Sequence, residues 1–581
     1  MESIIALGLI AICATSVLGP RLNVAAPLLL VAVGIAVGFI PGVPLIHIEP
    51  DWVLAGLLPP LLYSAAVSMP AMDFRREFAP IAGLSVLLVV LSSVGLGFLL
   101  WAVIEDLTLP WAIALGAVLS PTDAVATSIV KKTGISPRII SILEGEGLLN
   151  DATALVMLRT AVAATAASVS LWQVAGAVVY SVVVAAAIGL VVGKSNLWIR
   201  SRISAPTATT ALSFAVPFIA MIPAEALNAS GLVAAVVAGL ITGQGAARYF
   251  SPMQRISDSQ NWATIEFVLE GAIFLTMGLQ FHTLLEDLPD ESVAVVLQAG
   301  GIALLALLGS VILRAGFVAP LLMLLHRRAA RRKVLKPKLE KVQEVLSRDD
   351  IEDIMDQMRQ TGEVPESIEN EKTRAAMQAR LERINAEHAR LGAKARRRRF
   401  GRVPSIEDVR VRLRRSLADI DYFLASPLTW RDGTVVVWAG MRGAITVAAA
   451  QTLPLSAPQR SYLILIAFLV AGFSLLIQGG TLRGFVKVVK PTPGPSEEDV
   501  RAEQQELSEL MDRAAREFMD SLEEVDPVSV FARLGAVEAR REALLEARDE
   551  GIFDAAILSR SLDVLDAEQI ALELRADGRE P

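Results

Sequence analysis

Apolar runs of about 20 residues, the length that crosses a bilayer as a helix, follow one another through the first 325 positions and return between 431 and 482. Reading them in order predicts thirteen membrane spans, near 3–19, 24–40, 51–69, 79–104, 111–131, 138–163, 170–193, 206–222, 229–246, 261–281, 292–325, 431–452 and 459–482. The run 292–325 exceeds one perpendicular crossing, so it must tilt or continue as helix beyond the membrane. Two polar stretches interrupt the pattern. Residues 326–430 carry apolar positions at helical spacing among many Arg, Lys, Glu and Gln. Residues 491–581 read as amphipathic helices, introduced by Pro491, Pro493 and Pro495 as a hinge. The expected fold class is therefore an all-α polytopic membrane protein divided into a membrane body (1–325), a charged helical insertion (326–430), two further spans (431–490) and a helical tail (491–581).

Composition sharpens this picture. Of 581 residues, 53% are hydrophobic, far above the share typical of a soluble chain. Residues 491–581 hold 24 acids against 10 arginines and no lysine, a balance of −14; with −7 for the whole chain, residues 1–490 carry +7. Loops after odd-numbered spans hold the bases, among them Arg75, Arg76, Lys131, Lys132, Lys194, Arg202 and Lys487, whereas loops after even spans are acidic or neutral, as at Glu105 and Asp106. The positive-inside rule then places the N-terminus outside and the C-terminus in the cytoplasm. The four arginines at 396–399 could serve a lipid surface or simply solvate. The lone cysteine, Cys13, rules out an intrachain disulfide framework. The start of the chain lacks a basic n-region and reads as a first span rather than a cleaved signal.

Against this background a few polar residues stand out, because charge in the middle of a bilayer is costly and is normally retained for ion or proton handling. In span five, Ser120-Pro121-Thr122-Asp123 interrupts the helix, since Pro121 lacks a donor and clashes with the preceding turn. Span twelve has a matching interruption, Gly440-Met441-Arg442-Gly443. Interrupted helices at equivalent places of two halves mark transporter sites; a glycine packing motif with a snorkelling arginine is the plainer reading. Span six carries Glu146, Gly147, Asn150 and Asp151, and residues four apart share a face, so Gly147 leaves room beside Asp151. Asp151 is either an ion-binding carboxylate or half of a structural bridge to Arg314 or Arg442, for which Glu146 competes. Glu266 and Glu270 share a face of span ten. All four histidines, at 47, 282, 326 and 388, lie at membrane edges or outside, leaving proton exchange to carboxylates.

Thr122-Asp123, the Glu146-to-Asp151 run with its Asn-Asp pair, Arg314 before Ala315, and Gly440-Met441-Arg442-Gly443-Ala444 together resemble the sodium/proton antiporters of the NhaP and NHE type, within the monovalent cation:proton antiporter superfamily. The resemblance implies a homodimer of thirteen-helix protomers with inverted repeats and two crossed broken helices. It implies exchange of Na⁺, and Li⁺, for H⁺ across the plasma membrane, serving pH homeostasis. By position, Asp151 resembles the ion- and proton-binding carboxylate, with Asp123, Thr122 and Asn150 beside it and Asp151, Asp123 and Thr122 as Na⁺ ligands. An Asn-Asp pair at 150–151 implies one proton per sodium. Glu146 resembles the partner of Arg314, Arg442 the arginine balancing the crossed helix ends, and Glu270 an acidic position of span ten with a structural role. The sequence departs from the pattern at Gly147, where relatives commonly carry serine, and in the length of the 326–430 insertion. A K⁺/H⁺ antiporter of the same fold is the main alternative; a channel and an intramembrane aspartyl protease, which would need a Gly-x-Gly-Asp motif that Leu148-Leu149-Asn150-Asp151 lacks, are the rival classes. Neither an enzyme nor a cofactor is expected. The expected partners are the bilayer, the transported ions and a second copy of the chain, with no nucleic acid.

Overall fold

The computed structural model describes residues 2–22, 24–40, 52–166, 171–203, 205–286, 293–346, 378, 406–522 and 529–577. The arginines at 396–399, His47 and His388, with most of the 326–430 insertion, lie outside the described residues. Every described element is helical apart from an isolated bridge between Ile135 and Pro493. This is the outcome bilayer chemistry requires, because a helix satisfies its backbone polar groups internally.

In chain order the helices are α1 (Glu2–Leu22), α2 (Ala26–Gly38), α3 (Leu58–Ser68), α4 (Ala71–Arg76), α5 (Phe78–Ala82), α6 (Val89–Val103), α7 (Leu109–Val118), α8 (Val125–Lys131), α9 (Pro137–Ala166), α10 (Leu171–Arg200), α11 (Pro206–Ala226), α12 (Gly231–Tyr249), α13 (Pro252–Glu286) and α14 (Val293–Leu346). They continue with α15 (Ile406–Ala425), α16 (Trp430–Trp438), α17 (Ala444–Gln451), α18 (Arg460–Ser474), α19 (Gly480–Val489), α20 (Glu497–Asp520), α21 (Val530–Glu550) and α22 (Ala555–Asp577). Among the described residues seven helical stretches are long and apolar enough to cross a membrane unbroken. The interrupted pairs α7/α8 and α16/α17 are not among them. The long apolar run after 292 continues as helix to Leu346.

The chain divides into two compact units: residues 1–324, 428–542 and 555–581 form the first, and residues 325–427 with 543–554 the second. In the second, Lys336 pairs with Asp421, and Arg414 with Glu550. The first unit contains two apolar clusters. One gathers Leu96, Leu115, Ile139, Ile142, Phe274, Val435, Val447 and Leu463. The other gathers Leu58, Tyr63, Leu148, Ala152, Val216, Ala234 and Trp262. Helix α9 contributes Ile139 and Ile142 to the first and Leu148 and Ala152 to the second, and so lies along their boundary.

Lipid offers helices little hydrophobic reason to associate, so packing and interhelical polar links fix their arrangement. Asn196 on α10 donates to Thr242 on α12 at 3.0 Å, Ser64 on α3 donates to Glu266 on α13 at 2.9 Å, and Gln451 on α17 donates to Gln280 on α13 at 2.7 Å. The proline stretch read as a hinge is tethered. Thr492 donates its N–H and hydroxyl to Asp432, both at 2.8 Å, while Ser136 N–H donates to Thr492 O at 3.1 Å. Gly494 N–H donates to Gly134 O at 3.0 Å. The residues between the prolines keep the donors that proline lacks, and those donors anchor the segment. Within the tail, the buried carboxylate of Asp566 on α22 is clasped by Arg255 of α13 and Arg541 of α21.

Candidate functional site: crossed interruptions beside a buried carboxylate

Two breaks in helix create the site. Helix α7 ends at Val118, residues 120–123 are non-helical, and α8 begins at Val125. Helix α16 ends at Trp438, residues 440–443 are non-helical, and α17 begins at Ala444. The two non-helical segments meet: Asp123 N–H donates to Met441 O at 2.8 Å. Irregular backbone at this depth is tolerated where protein buries it, and Ser120, Met441 and Arg442 are buried.

Arg442 satisfies the orphaned ends of these helices. Its Nε donates to Leu119 O at 2.9 Å, and its Nη1 donates to Gly440 O. Both acceptors lie at helix C-termini, where carbonyls lack intrahelical donors and the dipole is negative. Its own N–H donates to Ser474 Oγ at 2.7 Å, and that hydroxyl donates to Gln478 Oε1 at 2.6 Å. Ser474 and Gln478 escaped the sequence reading, since nothing local marks two polar residues 32 or more positions from Arg442 as its supports.

The second charged group is a bidentate ion pair. Arg314 Nη2 donates to Glu146 Oε2 at 2.7 Å, Nη1 donates to Oε1, and Nε donates to Val436 O at 2.9 Å. Both side chains are buried, at 3% and 2% exposure. Thr122 Oγ1 donates to Glu146 Oε1 at 3.2 Å and accepts from Asn150 Nδ2 at 2.7 Å, and the same Nδ2 donates to Thr122 O at 3.1 Å. One hydroxyl lone pair of Thr122 is thereby committed and one remains.

With Arg314 given to Glu146 and Arg442 given to carbonyls, Asp151 has no ion pair. Its buried Oδ1 has no donor, and neither has Asp123 Oδ2 or Asn150 Oδ1. Gly147, one turn before Asp151, faces no heavy atom within 4 Å of where a Cβ would stand. Gly443 is the reverse case, because a Cβ there would collide with the Asp123 carboxylate. Glycine lets that carboxylate lie against the N-terminal end of α17, where the dipole favours an anion. Among the described residues Glu270 forms no ion pair or hydrogen bond, while Glu266, one turn before it, accepts from Ser64. Among the described residues no three His, Cys, Asp or Glu side chains converge as a resident metal site. We expect Gly443→Ala to cost about 1–3 kcal/mol through overpacking against the Asp123 carboxylate; wild-type thermal stability in that variant would show that Asp123 need not lie where it does.

Two interrupted helices meeting beside unpaired carboxylates narrow the comparison with known proteins. The profile of the transmembrane sodium/hydrogen exchangers matches residues 7–338 and 414–488. The chain belongs to the sodium/hydrogen exchanger family. An uncharacterised Na⁺/H⁺ exchanger of Escherichia coli is 37% identical over 271 residues, which is 45% of this chain and 49% of the relative. The Na⁺/H⁺ antiporter ApNhaP of Aphanothece halophytica is 29% identical over 293 residues, 50% of this chain and 54% of the relative. A sodium, potassium, lithium and rubidium/H⁺ antiporter of Bacillus pumilus is 33% identical over 266 residues, 44% of this chain and 39% of the relative. The chain thus spans about half the length of the curated relatives it matches. Among solved structures, the sodium proton antiporter MjNhaP1 of Methanocaldococcus jannaschii at pH 8 shares the fold, with a TM-score of 0.53 and 14% identity, over 84% of this chain and 98% of that one. This family is one of multi-pass membrane exchangers, not of enzymes.

Proposed function

We propose that this chain is an electroneutral Na⁺/H⁺ antiporter that also takes Li⁺, working by alternating access with Asp151 as the shared proton and cation site. The observation carrying this reading is the set of buried oxygens without donors: Asp123 Oδ2, Asn150 Oδ1 and Asp151 Oδ1. A carboxylate offers only acceptors, and a buried polar atom without a partner is costly. A proton or a hard cation removes that cost, and both compete for the same Asp151 oxygens. Thr122 contributes its remaining lone pair, and Asn150, being neutral, leaves one titrating group in the pair, hence one proton per cation. Asp151 is on α9, along the boundary of the two apolar clusters, where sliding of one against the other would carry the site from one side to the other. A bare carboxylate makes that passage expensive, whereas a protonated or ion-compensated one does not.

In this reading the protomer has thirteen spans in inverted repeats and forms a homodimer in the plasma membrane, the N-terminus outside and the C-terminus cytoplasmic. The membrane body is 1–325 with 431–490; 326–430 and 491–581 are cytoplasmic additions. A broader selectivity that includes K⁺ is favoured by the open space at Gly147 and by the relative named for sodium, potassium, lithium and rubidium. The test is proton flux in proteoliposomes at several pH values with Na⁺, Li⁺ and K⁺ added in turn. Flux driven by Na⁺ and Li⁺ and indifferent to an imposed voltage supports the first reading; equal K⁺ flux moves it to the second. Flux with none of the three, or current without coupled protons, overturns both.

A further inference from the structure

Away from the interrupted helices, at the far end of α8, lies a cavity of about 550 Å³ lined among others by Lys132, Ile135, Arg483, Val486, Lys487 and Lys490. Four of these are cations and none is an acid. Lys132, Arg483, Lys487 and Lys490 are exposed, and among the described residues none of the four has a carboxylate partner. Their neighbour Lys131, in contrast, pairs with Glu144. Lone lysines scattered over a surface simply solvate; four unpaired cations gathered around one concavity repel each other unless an anion joins them.

The backbone supports a built site. Lys490 closes α19 in the left-handed region, with φ 51°. That position ordinarily falls to glycine, which has no Cβ to strain. Lysine there keeps the fourth cation at the rim at the expense of an easier backbone. The floor is fixed as well: Ile135, Val486 and Pro491 are buried, and the 491–494 strap is bonded to 134–136 through Ser136 N–H to Thr492 O and Gly494 N–H to Gly134 O.

We infer that this cavity binds a phosphate-bearing anion. A group with two or more negative charges in a compact form matches four convergent cations, and the volume lies in the range of small-ligand pockets. Such a ligand bridges the loop after α8 to the end of α19. The same chemistry is offered by an anionic phospholipid headgroup and by a soluble polyphosphate.

Both sources are tested on the full chain in nanodiscs. In phosphatidylcholine discs, inorganic pyrophosphate is titrated by calorimetry, and amide hydrogen exchange is followed at 132–136 and 487–494. In parallel, native mass spectrometry counts phosphatidylglycerol retained from mixed membranes. The variant Lys487→Gln/Lys490→Gln is compared with Arg21→Gln/Lys194→Gln, which removes equal charge elsewhere. We expect saturable binding of one or the other probe, exchange protection confined to those two segments, and an affinity loss of at least about tenfold in the pocket variant only. Pyrophosphate binding without lipid retention assigns a soluble ligand, and the converse assigns a lipid. Saturable binding of neither, or equal loss in both variants, overturns the inference.

Discussion

We expect Asp151→Asn to abolish cation-driven proton flux and to leave the fold intact. Asparagine keeps the size of the side chain and removes its charge. Because Asp151 has no ion pair to lose and its Oδ1 meets no donor, the substitution deletes a buried charge and strands no partner. A buried charge without compensation is a burden on stability, so the variant should unfold at the same temperature as wild type or above it. Flux falls to the level of empty liposomes for Na⁺, Li⁺ and K⁺ alike, since an amide neither exchanges a proton in this range nor compensates a cation. Asp123→Asn, in contrast, keeps the Asp151 carboxylate but loses one carboxylate oxygen of the proposed site, and should weaken apparent cation affinity before it eliminates turnover. Proteoliposome flux beside thermal unfolding in detergent separates the two effects. Wild-type flux in Asp151→Asn would remove this residue from the site.

The second large effect is on stability. Glu146→Ala leaves the Arg314 guanidinium buried with only the Val436 carbonyl as acceptor. Breaking a buried pair from one side costs about 3–5 kcal/mol, so the single variant should unfold at a much lower temperature and yield little folded protein. Replacing both partners at once, Glu146→Ala with Arg314→Met, removes both buried charges and should recover much of that loss. A double-mutant cycle in thermal unfolding measures the difference. Additive costs, or a single-variant loss below about 1 kcal/mol, would mean that the bridge does not hold α9 to α14. The Glu146 change also frees the Thr122 hydroxyl that donates to Oε1, so whatever protein survives should show altered cation preference.

Much of this molecule was legible in its residues because bilayer chemistry permits few solutions. Charge and proline are so costly inside an apolar run that Pro121, Asp123, Asp151, Arg314 and Arg442 announce themselves against their surroundings. Helical character followed from the length of each run, and both interruptions followed from local composition, at Ser120-Pro121 and at Gly440 and Gly443. Which charges pair was beyond periodicity. Spacing left two arginines and several carboxylates with interchangeable partners, and only the family resemblance pointed to Glu146 for Arg314, because an ion pair between residues 168 positions apart carries no local signature.

Tertiary structure decided that allocation. It gave Arg314 to Glu146 and spent Arg442 on the carbonyls of Leu119 and Gly440, and by elimination left Asp151 unpaired. It also turned Gly443 from a mere break into the seat of the Asp123 carboxylate, and turned the proline stretch at 491–495 from a hinge into a bonded strap. What the sequence by itself determined is where helices run and where they cannot, since those are properties of neighbouring residues and the solvent. Who meets whom across the crossing depends on distances between helices far apart in the chain, and only the packed structure sets those.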